Sequence, residues 1–92
     1  AGSMDISVAD MATLSAAMVR GWGLSRAMRR EFARGTLPIT TRSQFPTLQG
    51  EAPVTDRPKA AAALGVVAFT GPQGPGYFKG GHNDSTANTM VC

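Results

Sequence analysis

The stretch Thr70-Gly71-Pro72-Gln73-Gly74-Pro75-Gly76 constrains this chain more than any other. Proline fixes its φ and offers no N–H, and glycine loses the most entropy on ordering, so their alternation works against helix and sheet alike. Two Gly-Pro triplets are also far too few for a collagen helix. The same bias marks the second half of the chain, which holds most of its eleven glycines and four of its six prolines. At 92 residues the chain makes at most one small domain, and a domain that short buries only a modest share of its surface. The expectation is a mainly α N-terminal third, built as two short helices in a hairpin or a kinked rod. The remainder is expected to be extended or disordered, with no large independent core.

Five segments follow from the composition. Residues 1–3 read as a tag-cleavage scar. Residues 4–35 form a helical recognition segment, 36–58 an extended spacer, 59–69 an alanine-rich apolar segment and 70–92 a Gly/Pro-rich flexible tail. In the first helix, over Asp5 to Arg20, Val8, Met11, Leu14 or Ser15, Met18 and Trp22 recur at helical spacing. Asp5 or Ser7 can cap its start, and Asp10 suits the positive end of the dipole. Gly21-Trp22-Gly23 reads as a turn or kink with an aromatic anchor. A second helix runs from Leu24 or Ser25 to Arg34, with Ser25 as N-cap and Gly35 as C-capping residue.

This second helix is amphipathic. Leu24, Met28 and Phe32 repeat every fourth residue, while Arg26, Arg29, Arg30 and Arg34 fill most of the remaining circumference. The plain interpretation is a solvated face on a packed helix. The sharper one is a docking face, with Trp22 beside it, for a partner protein's groove. Nucleic acid ranks below a protein partner, because no aromatics interleave the arginines as a stacking platform requires. A homodimer through the helices is a further option.

In the middle, Pro38, Pro46 and Pro53 favour an extended path, with Ile39, Phe45 and Leu48 as isolated apolar anchors. Thr55-Asp56-Arg57-Pro58 reads as a helix start leading into Lys59 to Ala63. Gly65 to Phe69 has the β-branched character of a strand.

Several function classes drop out. One cysteine makes no internal disulfide. No apolar run approaches the roughly 18 residues of a membrane span. The start lacks a basic segment leading an apolar one, so no secretory signal is read, and the expected location is cytoplasmic. His82, Asp84 and Cys92 are three mixed ligands on a flexible tail, a poor zinc site, and a Cys–His catalytic pair has nothing rigid to orient it. The chain is read as no enzyme, with no metal, no cofactor and no catalytic residue.

The tail still carries chemistry that other catalysts could use. Dehydration of Thr89 would make an electrophile, and the Cys92 thiolate three positions on can add to it. Cys92 has a carboxylate beside its thiol, which opens oxidative decarboxylation. Thr70, Ser85 and Thr86 are further hydroxyls for dehydration. The final Thr89-Met90-Val91-Cys92 resembles the ends of linaridins, of aminovinyl-cysteine lanthipeptides and of their thioamide-bearing relatives. That resemblance implies a ribosomal peptide precursor. Its leader would dock on modifying enzymes (a dehydratase, a flavoprotein decarboxylase and a protease). Thr89 would supply the dehydrated partner, Cys92 the decarboxylated sulfur, and the excised product would be antimicrobial and exported. Two other readings stand beside it. One is a small basic helical regulator binding an acidic protein or nucleic acid. The other is a fragment of a larger autoprocessed enzyme or complex, ordered only against its other half, with Val66 to Phe69 a strand in a partner's sheet.

Overall fold

The computed structural model describes residues 5–43, 50–82 and 84–92. The sequence features at Phe45, Pro46 and Leu48 and the N-terminal scar lie outside these residues. Helix α1 spans Val8–Arg20 and helix α2 spans Arg26–Phe32. Ser7 caps α1, its Oγ accepting from the Asp10 N–H at 3.1 Å. Ser25 caps α2, accepting from the Met28 N–H at 3.2 Å. At the end of α1, Gly21 takes φ 67°, and the Trp22 N–H reaches back to the Ala17 carbonyl at 3.1 Å. This left-handed closure is open to glycine at little cost. Gly35 is not the cap of α2: that helix ends at Phe32 and is capped by Ala33, two residues before Gly35.

The remainder of the chain corrects the expectation of an extended or disordered segment. Five antiparallel strands form one sheet in the order β1-β2-β3-β4-β5: Leu37–Pro38, Ala60–Ala62, Val67–Gly71, Gly74–His82 and Ala87–Val91. The Gly-Pro stretch does not unfold the chain, because its first proline lies in a turn. Gly71 pairs with Gly74, so Pro72-Gln73 form a two-residue hairpin loop, and Gly74 takes φ 109°. Pro75, opposite Thr70, sits just inside β4. The alanine run does not continue a helix either. A 3-10 turn covers Val54–Asp56, and Ala60–Ala62 pairs with Val67–Phe69 as β2. Here tertiary pairing overrides helix propensity. A Cβ on Gly35 would lie 2.7 Å from that of Ala61, so the loop after α2 presses directly on the strand. Gly65, at φ 80°, turns β2 into β3.

Among the described residues, the helices lie against one face of the sheet. Ala61, Ala68, Tyr77, Met90 and Cys92 share the helix-side face by register. There Phe32 meets Tyr77 edge-on, ring centroids 5.4 Å apart. Met11, Leu14 and Met18 of α1 wall a cleft with Lys79, Asn88 and Met90. The far face carries Val67, Phe69, Phe78, Thr89 and Val91, with Phe69 and Phe78 tilted against each other at 6.2 Å.

Burial is thin. Among the described residues only Ala52, Val66, Val67 and Tyr77 form the buried apolar set, and no large side chain is fully enclosed. Val8, Val19, Trp22, Leu37, Leu64 and Val91 are all exposed. The accessible surface is 7310 Å², against about 5,100 Å² for an average folded monomer of this mass. The radius of gyration is 14.7 Å, against about 12 Å for a compact chain of this length.

Candidate functional site

The two outer edges of the sheet differ. On the β1 side the chain closes its own edge. Strand β1 is only two residues long and contains proline, which suits an edge. Beyond it the Ala52 N–H donates to the Thr40 carbonyl at 2.8 Å, and Ala52 is buried. Arg57 braces this segment by donating from Nε to the Ala52 carbonyl at 2.7 Å, and Arg42 pairs with Asp56 at 3.1 Å.

The β5 edge has no such cover among the described residues. The Cys92 N–H donates to the Tyr77 carbonyl at 2.9 Å, and the Tyr77 N–H to the Cys92 carbonyl at 2.8 Å. Pairing alternates along an antiparallel ladder, so Cys92, Met90 and Asn88 bond inward to β4. Ala87, Thr89 and Val91 then turn their N–H and C=O groups outward. Strand β5 has no charge and no proline, two of the devices that usually guard an edge. Two concavities flank it. The helix-side cleft under α1 measures about 690 Å³, and a groove of about 840 Å³ on the far face is lined by Val67, Phe78, His82, Ala87 and Thr89.

The residues of the expected chemistry fall as follows. Thr70 is exposed on β3, and Ser85 and Thr86 lie in the β4–β5 connection. Thr89 is opposite Gly80, on the other face of β5 from Cys92. Three residues of strand also hold them about 10 Å apart along its length. Thioether closure therefore needs β5 to leave the sheet. His82 and Cys92 stand at opposite ends of the β4–β5 ladder. Among the described residues no three His, Cys, Asp or Glu side chains converge as a metal-binding group, and no helix is long and apolar enough to cross a membrane.

The helical docking face is partly used within the chain. Leu24 and Met28 are exposed, while Phe32 is committed to Tyr77. Arg29 folds back, donating from Nε to the Leu24 carbonyl at 3.1 Å and covering Gly21. Arg34 makes a forked pair with Glu31 at 2.6 and 3.1 Å, which holds the Glu31 carboxyl below its ordinary pKa. Arg20 lies 5.3 Å from the centroid of the exposed Trp22 ring. Only Arg26 and Arg30 of the α2 arginines have no ion-pair or side-chain hydrogen-bond partner among the described residues.

Sequence reasoning missed Tyr77, which falls within the 70–92 tail expected to be flexible. Its side chain is the joint between helices and sheet, and its hydroxyl is enclosed without a hydrogen-bond partner among the described residues. Desolvation, and then the neighbouring Cys92 side chain, raise its pKa above the ordinary 10.0. The folded form thus keeps its proton where the unfolded chain has begun to release it. Stability is complete below about pH 10 and falls as pH rises toward the folded pKa. Denaturation midpoints measured from pH 8 to 11 should show that alkaline decline. The decline should be smaller in Tyr77→Phe, and an equal decline in both proteins would rule this out.

No protein-family model matches the chain, and neither the curated proteins nor the solved structures provide a match.

Proposed function

We propose that the chain is one component of a larger assembly, a helix-backed sheet whose fold another polypeptide completes. It acts as a binding and scaffolding element rather than as a catalyst. The observation that carries this reading is the outward row of unpaired backbone groups on Ala87, Thr89 and Val91, on a strand with no guarding residue. The surplus of accessible surface and the scarcity of enclosed apolar side chains among the described residues support it. The reading keeps the idea of an element ordered against its other half but moves the contact. Val66 to Phe69 lie inside the chain's own sheet, so β5 is the strand left to pair.

The peptide-precursor reading requires a tail free to cyclise, and residues 87–91 would first have to unpair from β4. The basic-regulator reading is left with two unengaged arginines on α2. Neither gains support from a specific feature of the fold.

The test is the behaviour of the purified chain, followed by sedimentation and thermal melting over a hundredfold range of concentration, with a hydrophobic dye. Two outcomes support the reading: a melt that shifts upward with concentration, or a non-cooperative, dye-binding monomer. A monomer that melts sharply at one temperature throughout and leaves the dye dark overturns it.

A further inference from the structure

Resting on that reading, we infer that the polypeptide completing the sheet is a second copy of this chain, joined antiparallel through β5 about a two-fold axis at Thr89. The outward-facing residues of β5 are Ala87, Thr89 and Val91. Setting Thr89 against the Thr89 of a second copy places Ala87 against Val91 and Val91 against Ala87. Every outward N–H then meets a carbonyl, and the interface is isologous, the commonest form in homodimers. Asn88 faces Met90 in the same register.

Electrostatics allow this contact. The chain is basic overall, at +3, and like charges set against each other across a strand pair would oppose dimerisation. Strand β5 contributes none of that charge. The arginines reside on the helices and along the segment beside β1, so the paired residues are neutral throughout. An acidic or basic strand partner would find nothing on β5 to complement its charge.

Area points the same way. The chain exposes about 2,200 Å² more than an average monomer of its mass, and obligate homodimers bury about 1,000–2,500 Å² on each partner. Strand pairing also sets the helix layers of the two copies side by side on one face of a continuous sheet. The exposed apolar residues of α1, Val8, Leu14 and Val19, belong to that layer. The far-face grooves beside β5 become neighbours in the same way.

Charge exchange at Thr89 tests the register. Thr89 is exposed in the single chain, so Thr89→Lys and Thr89→Glu leave its own fold in place. In the dimer each variant sets two like charges face to face. Sedimentation equilibrium on the wild-type chain should show a dimer, and each variant alone should raise the dissociation constant by roughly tenfold. An equimolar mixture of the two should restore wild-type association, a result that general destabilisation cannot produce. Thr89→Pro, which removes one outward N–H from each copy, should weaken the dimer as well. A dimer indifferent to all three substitutions, or unrestored by the mixture, overturns the inference and leaves the proposed function standing. So does a non-cooperative, dye-binding monomer. A cooperative, concentration-independent monomer overturns both.

Discussion

Tyr77→Ala should strip the helices from the sheet. Tyr77 is buried, its ring takes the edge-on contact of Phe32, and its backbone holds Cys92 from both sides. Truncating a buried aromatic costs about 3–5 kcal/mol. A single small core rarely supplies more than about 3–5 kcal/mol in total, so the substitution removes most of what holds the two layers together. The expected signature is specific: amide protection in Val8–Arg20 and Arg26–Phe32 collapses, and helical circular dichroism falls with it. Tyr77→Phe keeps the ring and deletes only the unpartnered hydroxyl, so it should be neutral or slightly stabilising. Unchanged protection of both helices in Tyr77→Ala would show that they are held by something other than this contact.

The second large effect is expected at Gly76. A Cβ there would lie 2.7 Å from the Cys92 carbonyl oxygen and 2.7 Å from Cζ of Phe69. Phe69 pairs with Gly76 across the strands and lays its ring over the missing side chain, an arrangement that restores contact at a strand glycine. The ring can swing aside, but the carbonyl is fixed by its bond to the Tyr77 N–H. Gly76→Val should cost about 1–3 kcal/mol and act first on the end of β5. The thiol of Cys92, half-buried in the native chain, should then react faster with a soluble disulfide. Gly80 offers the control. It lies on the same strand with nothing within 4 Å of its would-be Cβ, and Gly80→Ala should leave thiol reactivity alone. Equal reactivity in the two variants would refute the close-contact account.

The sequence made the helices legible and concealed the sheet. Ser7, Ser25 and the Gly21 closure are local signals, and each does its work within one turn. The strands lack the apolar alternation by which strands are recognised. In β4 glycines stand where apolar residues would alternate, and at Gly76 the reason is Phe69, which leans over it from the next strand. Ala60 to Ala63 read as helix on intrinsic preference, yet the small side chain at Ala61 serves the close approach of Gly35. That need is invisible until two distant segments are brought together. The strand chemistry of Val66 to Phe69 was readable, but its neighbours were not, and so it was assigned to a partner's sheet. Of the candidate site, Thr89 and Cys92 drew attention through their side chains. What distinguishes β5 is its unpaired main chain, which no side-chain pattern announces.

Each strand of the sheet pairs with the one that precedes or follows it in the chain, and only the step between β1 and β2 is long. Such a meander asks for few distant encounters, and chains with short loops to close tend to fold quickly. On a ribosome, β3 can join β2 and β4 can join β3 as soon as each emerges. The last strand would then dock onto a template already in place, leaving its outer rim as the growing end of the sheet.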